Sequence, residues 1–275
     1  MSQLAIRQLL IDLTQPFPLR WNADAFTSAF MNALSLSFPA GEQFFLDSVR
    51  DGLKQLPEGQ QALFKEEVKG FIGQEATHRR LHALYNRHLT DQGMVNHWEQ
   101  RALKRIAILK EMDIRHSVAA TAANEHYTAV FAHWLLSNEW FFNNAEPRLK
   151  TLWLWHASEE SEHRCTAFDM YQAMGGNEEW RLRWMRRVTW FFLLDLLHQT
   201  INNLWHDGSL FKWSTWRSGA TMLFAKDGLM RSNIPHWKDY LRPDFHPEQH
   251  DASRSQAWLR DNTEFFVPVT AAASA

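Results

Sequence analysis

Apolar residues recur at three- and four-residue steps along most of the chain, and no segment alternates with the two-residue period of a strand, so the pattern predicts an all-α protein. The first helical stretch runs from about Asn22 to Leu56. Pro39 and Gly41 interrupt it, which predicts either a kink or a restart with Pro39 in the new first turn. The second begins after Pro57 and reaches about Thr90, closed by Asp91, Gln92 and Gly93. Phe64, Val68, Phe71, Ile72, Glu75, His78 and His82 share one face of it, so charged residues enter a buried stripe. A third stretch covers about Val95 to Asn138 with a break expected near Asp113, and a fourth covers Pro147 to Met174, stopping at Gly175 and Gly176. These four predict a four-helix bundle over residues 22–175. Residues 177–266 then read as appended helices and loops of the same domain, and residues 267–275 as a mobile tail. The long helix Glu178 to Trp205 is almost wholly apolar from Val188 to Leu197. Asp195 and His198 interrupt it too soon for the about 20 apolar residues a bilayer span needs, which predicts a buried packing helix and no transmembrane span.

Glutamate and histidine three positions apart on a helix share a face, so one ion can take an oxygen and a nitrogen from a single turn. That spacing occurs at Glu75-Ala-Thr-His78 and again at Glu160-Ser-Glu-His163. Each pair follows a glutamate one helix earlier, in an otherwise apolar setting: Glu42 before the first and Glu125 before the second. The separations nearly repeat, 33 residues from Glu42 to Glu75 and 35 from Glu125 to Glu160. Two such hairpins packed together place four carboxylates and two imidazoles at a bundle centre. Buried without compensation, those charges would be too costly, and two divalent cations would neutralise them.

Further histidines stand close to this pattern. His156 lies four residues before Glu160 on the same face, either as a further ligand or as a hydrogen-bonded core histidine. His82, one turn beyond His78, is either a ligand or a partner of the ligands. His126 points about 100° away from its neighbour Glu125, the angular step of one residue in a helix of 3.6 per turn, and reads as an outer hydrogen-bond partner. Asp195-Leu-Leu-His198 and Asp113-x-x-His116 share the three-residue spacing without a matching upstream carboxylate. Asp195 and His198 are kept as groups that could support the ligands.

The order Glu, Glu-x-x-His, Glu, Glu-x-x-His resembles the ferritin-like di-iron carboxylate proteins over about Glu42 to His163. The segments Phe-Pro-Ala-Gly-Glu-Gln-Phe-Phe, Gly-Gln-Glu-Ala-Thr-His, Asn-Glu-His-Tyr-Thr-Ala, His-Ala-Ser-Glu-Glu-Ser-Glu-His and Phe-His-Pro resemble the bacterial family labelled "predicted metal-dependent hydrolase" over most of the chain. The His156-x-x-x-Glu160-x-x-His163 run is similar to that of the arylamine N-oxygenases, where the extra histidine is a seventh ligand. What these resemblances imply is a ferritin-like bundle with Glu75 and Glu160 bridging two metals, Glu42 and Glu125 terminal, and His78, His163 and His156 supplying nitrogen. Iron is the expected metal. Manganese and zinc suit the same ligand types.

Composition adds limits. Lysine plus arginine total 29 against 31 acidic residues, which leaves neither a nucleic-acid footprint nor an acidic tail. The one cysteine, Cys165, excludes an internal disulfide and a thiolate cluster, and with a start that carries no basic leader it suggests a cytoplasmic protein. Fourteen tryptophans, mostly after residue 134, could build core, line a cavity or meet a membrane, with core packing the default. The expected function is a di-iron oxygenase or oxidase acting on a small apolar or aromatic substrate. The alternatives are a dinuclear metal-dependent hydrolase and, third, a metal storage protein. No nucleotide-binding glycine loop is present, so electrons would come from a donor protein or from the substrate. A homodimer is compatible with the sequence, which names neither substrate nor partner.

Overall fold

The computed structural model describes residues 4–269, and among them the chain is all-α apart from one small sheet. Helix α1 spans Ala25–Leu53 and starts at Asp24, whose carboxylate accepts from the Thr27 N–H. It runs unbroken through Pro39, so the helix does not restart there. Proline at that position leaves the Ser35 carbonyl, one turn earlier, without its helical donor. Asn86 Nδ2 donates to that Ser35 carbonyl at 2.8 Å in place of the missing backbone bond, and Asn96 Nδ2 donates to the adjacent Leu36 carbonyl at 2.8 Å.

Helix α2 is Glu58–Asp91, ending before Gly93 at φ +91°. The expected break at Asp113 separates α3, His97–Lys110, from α4, Ile114–Ser137, with the Asp113 carboxylate accepting the Arg115 N–H. The fourth predicted helix is divided at Arg164–Cys165 into α5, Pro147–His163, and α6, Thr166–Ala173. There the Arg164 guanidinium bonds to the carbonyls of Ser161, Pro247 and His250, tying the break to a distant C-terminal turn that sequence periodicity does not register. Four further helices follow: α7, Glu178–His206; α8, Trp213–Phe224; α9, Leu229–Asp239; and α10, Ser253–Asp261.

Strands β1, Arg7–Leu9, and β2, Phe266–Pro268, pair antiparallel with Arg7 opposite Pro268 and Leu9 opposite Phe266. Three residues are too few to display alternation, so the sequence reading missed them. Val267 and Pro268, read as the start of a mobile tail, belong to this sheet, and the Val269 N–H bonds to the Ile6 carbonyl at 2.8 Å. Residues 270–275 of that tail lie outside the described residues.

Helices α1, α2, α4 and α5 surround a common centre, and α7 packs across α1 and α4. Along α1, α2 and α4 the apolar core is divided in two, and α5 carries one of the clusters while α6 carries the other. On α1, one cluster ends at Leu36 and the other resumes at Phe44; on α2 they end and resume around Phe71 and Leu81; on α4 around Ala123 and Ala132. The residues between include the glutamates and histidines picked out from sequence. The long α7 departs from expectation, because Val188 and Leu196 are buried while Trp190, Phe191, Leu193 and Leu197 are exposed. It is a packing helix on one side only.

Candidate metal centre

Glu42 from α1, Glu75 and His78 from α2, Glu125 from α4, and His156, Glu160 and His163 from α5 are all buried in that polar layer. The i, i+3 and i, i+4 spacings put each helix's donors on its inner face. Glu160 lies at the middle: its Oε1 is 2.9 Å from His156 Nε2, 3.5 Å from His78 Nδ1 and 3.8 Å from His163 Nε2. Glu42 Oε1 is 3.6 Å from His156 Nε2, and Glu75 Oε1 is 3.3 Å from His163 Nε2. Glu125 Oε2 is 2.9 Å from His163 Nδ1. Two overlapping groups emerge whose donor atoms lie within 4.8 Å of one another, Glu75, His78, Glu160 and His163 in one, and Glu42, His78 and His156 in the other. Glu125 falls in neither group and meets them only through His163.

Protein donors alone leave this layer unsatisfied. Both oxygens of Glu42 and Glu75, one each of Glu125 and Glu160, His78 Nδ1 and His163 Nε2 have no hydrogen-bond partner. Buried orphans are rare in folded proteins, and eight in one place point to something the protein atoms do not supply. Burial pushes the Glu42 and Glu75 carboxyls well above the usual carboxylate range, and pushes Glu125 up to about 7 although His163 pulls against it. Burial acts on Glu160 in the same direction, but His163, His156 and His78 around it hold it well below its ordinary value. Oxygen and imidazole donors of this number fit two divalent first-row cations. Those ions would have to displace protons from the raised carboxyls, so affinity should increase with pH. Competition with a chelator is expected to show tighter binding at pH 8 than at pH 6; a flat or inverted dependence would contradict the carboxylates' role.

The groups behind the donors fix which ring nitrogens face inward. Asn86 must turn its Nδ2 toward the Ser35 carbonyl left free by Pro39, so its Oδ1 faces Ser35 Oγ at 2.7 Å and accepts that hydroxyl proton. Ser35 Oγ then accepts from His82 Nδ1 at 2.8 Å, which leaves His82 Nε2 bare to accept from His156 Nδ1 at 2.9 Å. His156 Nε2 therefore presents a lone pair to the centre. Burial and the neighbouring His78 lower His156 to about 4, so the ring is neutral at pH 7. His82 has both nitrogens engaged, which makes it the partner of His156. Replacing Asn86 with alanine is expected to weaken one metal position by about 10- to 100-fold in chelator competition, the usual penalty for losing an outer partner; unchanged affinity would break the relay.

A second relay backs His78. Its Nε2 donates to Glu159 Oε2 at 2.9 Å, and Glu159 Oε1 accepts from Arg7 Nη1 at 2.9 Å. Neither Glu159 nor Arg7 was singled out from sequence. Glu159 has the spacing that could have revealed it, since it directly precedes Glu160 in an otherwise buried turn. Arg7 had no signal, because its place depends on the β1–β2 pairing.

The remaining candidates are placed elsewhere. His126 Nε2 bonds to the His236 carbonyl at 3.0 Å, and its ring packs against Tyr240 and Phe245, so it does not serve the cluster carboxylates. Asp195 is buried but engaged by Arg101 and Arg105 of α3, and His198 is exposed. Neither supports the donors, because α7 approaches the bundle from outside. His236, Asp239 and His250 form another His–Asp group, half-buried, with Asp239 Oδ1 already 3.5 Å from Arg242. It lacks the uncompensated carboxylates of the central layer.

An apolar cavity of about 560 Å³ opens beside the cluster, between α1, α4, α5, α7, α8 and α9. His156 and Glu160 are in its inner wall, and Phe38, Trp153, Leu196 and Trp237 line it. No lysine, arginine or aspartate lines it.

A family model described as "Predicted metal-dependent hydrolase" matches residues 5–251. No curated protein and no solved structure matches the chain.

Proposed function

The chain belongs to the family described as predicted metal-dependent hydrolases, and from that premise we propose that it is a dinuclear iron oxidase or oxygenase for a small apolar substrate. The observation that carries this reading is the cavity, which ends on His156 and Glu160 with almost nothing polar along its walls. Two ferrous ions held by Glu42, Glu75, His78, Glu125, His156, Glu160 and His163 would supply electrons for activating dioxygen. The chain's own residues perform the rest. Glu160 touches three of the imidazoles, which supports a role for it in holding both ions; His78 and His156 are oriented by Glu159 and by the Ser35–His82 relay. The aromatic wall of Phe38 and Trp153 packs on His156 and makes the cavity side of the donors apolar.

Hydrolysis is the second reading, favoured by the family's description and equally served by this donor set. Cleavage of an ester or amide, however, would rely on the ions alone for the charge on the oxygen, and the cavity wall adds no cationic side chain for the leaving group. Metal storage has no use for such a cavity. The test loads metal-free protein with ferrous iron under reducing, oxygen-free conditions and then admits oxygen at an electrode. Oxygen uptake of about one molecule per pair of ferrous ions is expected, two electrons passing from the pair to each dioxygen. If the iron form takes up none, while the zinc form cleaves a medium-chain nitrophenyl ester and loses that activity on chelation, hydrolysis replaces oxidation.

A further inference from the structure

The mouth of the cavity is formed by side chains that both line it and face solvent: Leu193 and Leu197 on α7, Trp216 and Phe224 on α8, and Ile234 on α9. Apolar exposure continues outward from that rim. Trp190 extends the α7 stripe at three- and seven-residue steps from Leu193 and Leu197, and Trp213 extends the α8 stripe of Trp216, Ala220 and Phe224. Phe211 and Trp213 are 85% and 81% exposed, and Phe211 packs edge-on against the exposed Trp205 at 6.0 Å. Single exposed apolar residues are ordinary, but a continuous patch around a cavity mouth marks an interaction surface.

Charge identifies the partner. Residues 208–238, which contain α8 and most of α9, carry Lys212, Arg217, Lys226, Arg231 and Lys238 against one acid, Asp227, in a chain whose overall formal charge is −2. All five cations are exposed. The acids flanking the segment are taken elsewhere, Asp207 by Arg20 and Asp239 by His236 and Arg242, so the five have no carboxylate partner among the described residues. Exposed tryptophan and phenylalanine mixed with unpaired lysine and arginine is the composition that settles at the headgroup level of an anionic bilayer. A second copy of the chain would bring like charges together on the same face. No helix among the described residues is long and apolar enough to cross a membrane.

We propose that the exposed faces of α7, α8 and α9 seat the protein on an anionic lipid leaflet, with the cavity mouth facing the acyl region. The substrate would then be a membrane-dissolved apolar molecule, a conclusion that rests on the substrate role given to the cavity above, whereas the seating itself does not depend on the chemistry at the metals.

Sedimentation with phosphatidylglycerol–phosphatidylcholine vesicles and with pure phosphatidylcholine vesicles tests it. The wild type is expected to bind the mixed vesicles at least tenfold better than the neutral ones. The double variant Phe211→Ser, Trp213→Ser should lose at least tenfold of that binding with unchanged helicity and metal content. The charge variant Arg217→Glu, Lys226→Glu provides an independent arm and should lose binding similarly. Absence of vesicle binding, or binding untouched by both variants, overturns the proposal. So does a solution dimer that the aromatic variant dissociates while vesicles remain unbound, which would assign the face to a second copy of the chain.

Discussion

Removing metal from the wild-type protein is expected to lower its melting temperature by about 10 °C or more, and the same treatment should leave the double variant Glu75→Gln, Glu160→Gln nearly unmoved. A ligand bound only to the folded state at about a thousandfold excess over its Kd contributes about 4 kcal/mol. At about 2–4 °C per kcal/mol for a chain of this size, each ion accounts for about 8–16 °C. The metal-free wild type also keeps four glutamates in a layer where Glu42, Glu75 and Glu125 resist ionisation and eight polar atoms lack partners. Glutamine at position 75 removes a carboxyl that resists ionisation, whereas glutamine at position 160 gives up a carboxylate that its histidines favour, so the two changes partly offset each other in the metal-free variant. Parallel thermal melts with and without chelator measure both. A wild type indifferent to chelation would mean that these carboxylates are satisfied by some other means.

The second large effect is expected far from the cluster in sequence. Arg7→Ala should destabilise the protein by about 3–5 kcal/mol, the usual consequence of stripping the partner from a buried charge. Arg7 Nη1 lies 2.9 Å from Glu159 and 2.7 Å from Glu162, and Glu159 is wholly buried. With the guanidinium gone, Glu159 keeps only His78 as a partner. The companion Arg7→Ala, Glu159→Gln should recover part of the loss, because it removes the stranded charge and leaves an acceptor for His78. Thermal melts of the two variants decide the matter. Equal destabilisation in both would reduce Arg7 to a packing residue of the β1–β2 strap.

Much of this arrangement was legible in the sequence because helices convert spacing into direction. Glu75 and His78, or His156, Glu160 and His163, could be placed on one face by counting alone, and the doubled hairpin implied that the two faces meet. What counting could not supply depends on pairings between distant segments. The Ser35 carbonyl is free because of Pro39, but that Asn86 would take it, and so orient Ser35, His82 and His156, follows only from how α1 and α2 pack. Arg7 reaches Glu159 because residues near the two ends of the chain pair as strands too short to show a period. Asp195 and His198 mimicked the ligand spacing, yet α7 lies outside the bundle, where Asp195 answers Arg101 and Arg105. The apolar run of α7 read as core because periodicity alone does not tell a buried face from one that frames a cavity mouth.

The most direct measurement of the central claim is the mass of the intact folded protein under non-denaturing conditions, before and after chelation, alongside elemental analysis. Two first-row ions per chain are expected in the wild type, with well under one in the double variant Glu75→Ala, Glu160→Ala, whose two lost carboxylates include the one that touches three of the imidazoles. Wild-type protein that binds no ion when offered excess ferrous iron or zinc, or a double variant that retains both ions, would contradict the dinuclear centre.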